Sequence, residues 1–218
     1  MTWKEMKKNP EVCMLLEKGD KNLEVMGFTE HSMAHCALVS KRAGKILEEL
    51  GYSEHEQELV KIAGIMHDIG NAVNRSHHAE SGAILANEIL KGTDLAPEDR
   101  ITVVSAIGNH DESTGGAKDA VSAALILADK SDVRRNRVRN KDREKFDIHD
   151  RVNYAVTGSK LKVDAKERKI SLNLQVDTTI CTMFEYFDIF LGRMMMCRSS
   201  AEMLGAQFRL TVNGGKVL

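Results

Sequence analysis

Six residues carry metal-ligand chemistry at intervals along this chain: His35, the adjacent His67 and Asp68, His78, His110 and Asp129. Neutral imidazoles and carboxylates are the donors that divalent transition metals take. The stretch IAGIMHDIGNAVNRSHH, residues 62 to 78, poses the question most sharply, because an apolar run stops at His67 and Asp68. A buried carboxylate with no partner neutralises itself or finds one. Asp68 therefore lies at a surface bend or is paired, and the other residues of the set point to a shared metal ion as the partner.

Helices are the elements that would position these residues. Residues 29 to 50 read as a helix, with Thr29 as N-cap and Gly51 as the stop. Ser53 with Glu56 is a capping box that opens a second helix toward 68. Residues 77 to 91 give a third, Pro97 starts a fourth that ends near His110, and 117 to 133 give a fifth. On a period of 3.6 residues, His35 shares a stripe with Val39, Ile46 and Leu50, and His31 lies one turn earlier. Ile62, Ile65 and Met66 lead to the His67–Asp68 dyad. His78 lies with Gly82, Leu85 and Ile89, whereas His77 shares its side with Glu80 and Glu88. His110 lies with Val103 and Ile107, and Asp129 with Val121 and Leu125, Asp132 following one turn on. A lone histidine on an apolar face is usually a satisfied core residue. Successive helices that each bring a His or Asp to the inward stripe are not explained by packing.

After a charged stretch, helical or irregular, the period changes near residue 158. Leu161 and Val163, then Ile170, Leu172, Leu174 and Val176, alternate as a hairpin turning at 166 to 168. Residues 178 to 204 return to helix, and Phe208, Leu210 and Val212 alternate again. The expected fold is mainly α: a helical body over 1–158 and a small C-terminal α+β unit of ββαβ order over 159–218. That unit has an apolar face to bury, against the body or a second subunit, so a homodimer is an open expectation.

Composition sets limits. The chain has 218 residues, 42% hydrophobic and 29% charged, with a net charge of −1, so no bulk attraction to nucleic acid or membrane is expected. No run approaches the ~20 apolar residues of a membrane span. The start, MTWKEMKKNPEV, has no signal-peptide core. The cysteines at 13, 36, 181 and 197 form no Cys-x-x-Cys pair, which fits a reducing, cytoplasmic setting.

The ordered set resembles the HD-domain superfamily of metal-dependent phosphohydrolases. HCALVSKRAGKILEELG is similar to its first-ligand helix, IAGIMHDIG to its signature dyad, HAESGAILANEIL and AIGNH to the extra histidines of two-metal members, and LILADKSD to its final aspartate. The resemblance covers about 29 to 135. It implies that His35, His67, Asp68 and Asp129 hold one divalent metal, and that His78 and His110 hold a second, with Asp68 bridging. Iron or manganese is favoured, with magnesium, cobalt, nickel and zinc left open. Asn71 stands where members that cleave cyclic dinucleotides commonly have lysine, and their Gly-Tyr-Pro motif is missing, which argues against that branch. The small bacterial two-metal members, among them the diadenosine tetraphosphate hydrolases, are closer, without fixing a substrate.

The resemblance implies attack on phosphorus by a metal-activated hydroxide, the ions clamping the attacking and leaving oxygens. Arg75, Lys130, Arg134 and Arg135 are the cations expected to receive a small phosphorylated substrate, with Arg75 and Lys130 also nearest the chemistry. The run through Arg137, Arg139, Lys141, Arg143 and Lys145 reads equally as a solvated face. Asp111 reads as a proton shuttle or, more commonly for such a position, as a cap of the helix end. His31 reads as an extension of the metal shell or, more commonly, as a residue that orients His35 or water, and His149 as a core or surface histidine. The expected function is hydrolysis of a nucleotide or other small phosphate ester, as phosphomonoesterase, phosphodiesterase or nucleotide anhydride hydrolase. The alternative is a metal-containing module that senses a nucleotide without turnover. A nucleic-acid binder using the arginine run is a third reading, against which the net charge and the 5% aromatic content weigh.

Overall fold

The computed structural model describes residues 1–140, 142 and 146–218, so Lys141, Arg143 and Lys145 of the basic run lie outside the described residues. The helices are α1 (Trp3–Met6), α2 (Pro10–Val25), α3 (Met33–Glu49), α4 (Glu54–Met66), α5 (His78–Lys91), α6 (Pro97–Gly108), α7 (Ala120–Lys130), α8 (Ile148–Ala155) and α9 (Met183–Met203). The strands are β1 (Val156–Asp164), β2 (Lys169–Val176), β3 (Gln207–Val212) and β4 (Gly215–Lys216). The chain is thus a mainly α body followed by a small α+β unit.

Helix α2 is the element that the periodicity passes over. Its start is nevertheless coded: Asn9 accepts from the amides of Glu11 and Val12, and Pro10 occupies the first helical position. Gly19 lets α2 lie against a 3-10 turn at Ile69–Ala72, where a Cβ would meet Ala72 N and Asn71 Cβ at 3.1 Å. Asn22 Nδ2 donates to the carbonyls of Asn71 and Ala72 at 3.2 Å each. A helix unread in the sequence therefore braces the turn that follows the dyad.

Helix α3 begins later than expected. Ser32, not Thr29, caps it by accepting from Ala34 N, because residues 29 to 31 form a turn in which His31 Nδ1 donates to Thr29 O at 2.7 Å. It stops at Gly51, as read, where φ is +82°. The Ser53–Glu56 capping box opens α4, which ends at Met66 with His67 as its C-cap. Gly70 has no room for a side chain: a Cβ there would sit 2.0 Å from His78 O and 2.5 Å from Gly82 N. Only glycine allows α5 to approach the dyad so closely. His77, at φ 58°, takes a left-handed conformation that turns the chain into α5. Helix α7 is shorter than the expected 117–133, because Asp119 caps it in a capping box with Ser122.

The C-terminal sheet has the order β1-β2-β3-β4. β1 and β2 form the expected antiparallel hairpin, with a register shift between Val156 and Gly158. β3 returns parallel to β2 through α9, and β4 adds a short antiparallel edge not expected from the sequence. Helix α9 starts at Met183 behind a Thr182–Glu185 capping box, because Asp177 O accepts from Ile180 and Cys181 amides in a turn. The buried side chains of Ile170, Leu172, Leu174, Phe208, Leu210 and Val212 join the same core as the helices. Helix α9 packs against both α7 and β3, which carries the tail to the mouth of the site described next.

Candidate metal centre and its cavity

Four imidazoles are each fixed through Nδ1. His67 donates to Gly64 O at 2.9 Å, His78 to Arg75 O at 3.1 Å and His110 to Ile107 O at 2.6 Å. His35 Nδ1 meets Asp132 Oδ2 at 2.7 Å. A carbonyl only accepts, so Nδ1 carries the hydrogen and Nε2 presents a lone pair. Those Nε2 atoms point toward one another. His35 and His67 sit at the inner ends of the tightly packed α3 and α4, His78 opens α5, and His110 follows the end of α6.

The carboxylates complete two groups. Asp129 Oδ1 lies 3.2 Å from His35 Nε2 and 3.8 Å from His67 Nε2, while its Oδ2 takes Lys130 Nζ at 2.8 Å. Asp68 Oδ2 lies 3.2 Å from His67 Nε2 and 3.7 Å from His35 Nε2, and its Oδ1 lies 3.9 Å from His78 Nε2. His35, His67 and Asp129 form one set whose donor atoms lie within 4.8 Å of one another, and Asp68, His78 and His110 form another. Cys36, with His67 and Asp68, makes a third such grouping, but burial pushes its thiol pKa up and keeps it protonated.

These donors fit a cation. His35 Nε2, His67 Nε2 and Asp68 Oδ2 are buried with no hydrogen-bond partner among the described residues. His78 Nε2 faces His110 Nε2 at 3.2 Å, lone pair against lone pair. No proton bridges them: burial lowers the pKa of His78 and pushes that of His110 down to about 3. Burial resists ionisation of Asp68 and Asp129, yet His67 beside the first and Lys130 beside the second hold both well below the usual carboxylate range. Burial also opposes a charged His67, but the Asp68 carboxylate holds its pKa well above the ordinary value. Without metal, then, His67 Nε2 takes up a proton more readily than a free imidazole does.

A further ring of contacts aims the donors. Asn71 Nδ2 donates to both Asp68 O and Asp68 Oδ1 at 3.0 Å, which gives the residue after the dyad's glycine a defined task. Asp132 is gripped by Arg134, and its carbonyl accepts from Arg137 Nη1 at 2.7 Å. A histidine held through its far nitrogen by a carboxylate is a recurrent way to orient and strengthen a metal ligand.

The model of the HD domain family matches residues 33–152. The chain belongs to the HD-domain family. Membership supports a metal-dependent phosphohydrolase in general, and the His and Asp groups are the residues that could hold the metal. The uncharacterized protein MJ1020 of Methanocaldococcus jannaschii is 27% identical over 173 residues, covering 68% of this chain. The alignment spans 66% of that relative's own length, just under two thirds. A crystal structure of a predicted HD superfamily hydrolase from an uncultured Thermotogales bacterium is 22% identical, with a TM-score of 0.45, covering 61% of this chain and 75% of that one.

Above the HD donors lies a cavity of about 360 Å³. Asp68, His78, His110 and Asp129 form its floor, with Arg75, Lys130, Arg137 and Arg193 among its walls and Phe28 and Phe190 at its apolar side. Arg75 Nη1 lies 3.4 Å from His78 Nε2 and donates to Asn71 Oδ1 at 3.3 Å. Arg193 comes from α9, stacks over Phe190 at 4.6 Å and meets Glu112 Oε2 at 3.4 Å. His31 and His149 also line the cavity.

The structure brings together His35, His67, Asp68, His78, His110 and Asp129, and places Arg75 and Lys130 beside them. It does not bring Arg134 and Arg135. After Asp132 the chain turns, so that Arg134 folds back on Asp132 and Arg135 on Tyr154, and both face a separate cavity. Asp111 is absent from the lining. Its Oδ1 is 4.0 Å from His78 Nε2, and its Oδ2 accepts from Ser113 N at 3.2 Å, which makes it part of the turn after α6. Its pKa is lowered, burial being outweighed by Ser113, Lys130 and His78. Sequence reasoning missed Asn71 and Asp132 as supports, and Arg193, Glu112, Phe28 and Phe190 at the mouth. Asp132 had a signal, its place one turn beyond Asp129. Arg193 had none, because its role depends on where α9 docks. No helix among the described residues is long and apolar enough to cross a membrane.

Proposed function

We propose that this HD-domain protein hydrolyses a nucleotide or another small phosphate ester with the help of two divalent ions, iron or manganese being favoured. The observation that carries the reading is the division of Asp68. One of its oxygens faces His67 and His35 and the other faces His78, which supports a single carboxylate shared between two ions. His35, His67, Asp68 and Asp129 would hold one ion, and Asp68, His78 and His110 the other. When bound, such ions supply Lewis acidity toward a phosphoryl oxygen and a water of lowered pKa.

The chain's own residues do the rest. Arg75 borders the floor and offers a planar fork to phosphoryl oxygens. Lys130, 6% exposed, ties Asp129 Oδ2 and leaves Oδ1 turned toward His35. Asn71 holds Asp68, and Asp132 holds His35, so neither rotates when charge shifts in the site. Arg193 adds positive charge at the mouth, and the Phe28 and Phe190 rings offer apolar area of the kind a nucleobase takes. These walls favour a substrate with a compact anionic end and an apolar or aromatic remainder.

A phosphate-release screen over mononucleotides, dinucleoside polyphosphates and p-nitrophenyl phosphate, with Mn²⁺ or Fe²⁺ restored, tests the reading. Metal-dependent release from at least one nucleotide, lost in Asp68→Ala, is expected. Tight metal-dependent nucleotide binding with no turnover of any substrate would replace the enzyme by a sensing module.

A further inference from the structure

Arg134 and Arg135 line a cavity of about 630 Å³ between residues 134–140 and the start of β1. Tyr154, Asn140, Thr157 and Ser159 are among the other walls, and no Asp or Glu is among the described lining residues. The charged groups of its described lining are therefore the two arginines, although the protein as a whole has a net charge of −1. The two guanidinium groups are fixed but not fully used. Arg134 gives Nε and Nη2 to Asp132, the latter at 2.9 Å, which leaves Nη1 for another acceptor. Arg135 gives Nε to Tyr154 O and lies with Cζ 4.4 Å from the centre of the Tyr154 ring. Its Nη2 is buried without a hydrogen-bond partner among the described residues, and Asp177 Oδ2, at 3.9 Å, is beyond hydrogen-bond reach.

Arg137, two residues on, shows the contrast. It donates Nε to Glu30 O at 2.9 Å and Nη1 to Asp132 O, and supports the fold. Arg135 is held as firmly, by a stack and a backbone contact, yet keeps an unspent donor. A guanidinium immobilised in this way loses little freedom when an anion arrives. The register shift between Val156 and Gly158 takes Thr157 out of the β1–β2 pairing and leaves this end of the strand facing the cavity.

We propose that this cavity is a second anion site, separate from the HD site, which takes a phosphate-bearing small molecule and is linked to the HD site through Asp132. Arg134 is the connecting residue. It lines the cavity and also grips Asp132, which holds His35 Nδ1 at 2.7 Å. The anion site stands on its own observations, whereas the link rests on the metal reading of the HD site.

Calorimetric titration of inorganic pyrophosphate into the full-length, metal-stripped protein separates the two. Arg75→Ala serves as the reference, because it weakens the phosphate grip in the HD cavity. It should still bind one pyrophosphate per chain, and adding Arg135→Ala should weaken that binding by about tenfold or more. Thr157→Glu places a carboxylate in the cavity from an exposed position and should act likewise, which covers a loop disturbed by losing the Arg135–Tyr154 stack. Loss of all binding in Arg75→Ala alone, or an affinity unchanged by Thr157→Glu, would overturn the site. Arg134→Gln should weaken both pyrophosphate and Mn²⁺ binding, whereas Thr157→Glu should weaken only pyrophosphate. Unaltered Mn²⁺ affinity in Arg134→Gln would overturn the link.

Discussion

The floor and the mouth of the HD cavity are built on different terms. Beneath and in the floor, each of the four imidazoles His35, His67, His78 and His110 is locked by one acceptor, in three cases a carbonyl three residues earlier in the chain. The carboxylates between them are ionised and clamped by Asn71 and Lys130. At the mouth, Arg75 and Arg193 lean on the rings of Phe28 and Phe190, and Phe28 is 42% exposed. Phe28 lies between helices, and Arg193 arrives from the C-terminal unit. The floor is built from local contacts. The mouth is built from contacts between distant parts of the chain. Damage to the floor should therefore remove metal and turnover together, whereas damage to the mouth should change substrate affinity and spare the metal.

The largest effect should come from Asp68→Ala. It removes the carboxylate that both donor sets share, and turnover should fall by on the order of 10³-fold or more, with loss of bound metal. Near-normal activity with retained metal would break the comparison at its root. Asp132→Ala comes next, because it frees His35 without removing a donor. Metal affinity should drop by about 10–100-fold, read by competition with a chelating dye. The pH dependence of metal binding sharpens the floor further. Asp68 holds the His67 pKa above 6.5, so below that raised value a metal must displace the His67 proton. Mn²⁺ affinity should therefore fall by about tenfold per pH unit on the acid side and level off on the alkaline side. An affinity flat between pH 6 and pH 8 would contradict the raised pKa of His67. Arg193→Ala should have the smallest effect: KM raised by about tenfold or less, with kcat and metal content kept. A fall in metal content there would erase the distinction between floor and mouth.

The same division decides what the sequence could reveal. His35, His67, His78, His110 and Asp129 were legible because a ligand at the end of an apolar stripe keeps the helical period of its own element. Gly51 and the Ser53–Glu56 box were legible because caps are local. Asp132 as the partner of His35 was not, since the two are 97 residues apart and meet only when α3 packs on α7. In the sequence Arg134 and Arg135 read as substrate-binding cations, and Arg137 as part of a run that reads equally as a solvated face. A 3-10 turn at Arg135–Arg137 gives them different surroundings, so that Arg137 becomes structural and the other two line a separate cavity. Helix α2 escaped because Gly19 interrupts its apolar face, and that glycine makes sense only once the Ile69–Ala72 turn lies against it. Arg193 depended on the docking of α9, which no local pattern encodes.

The most direct test of the two-metal floor is elemental analysis of the protein loaded to saturation with Mn²⁺ or Fe²⁺ and freed of loose ions, beside His110→Ala treated identically. The expected result is two ions per chain in the native protein and one in the variant, with the ion at His35, His67 and Asp129 retained. One ion per chain in both proteins would contradict the division of Asp68 between two metals.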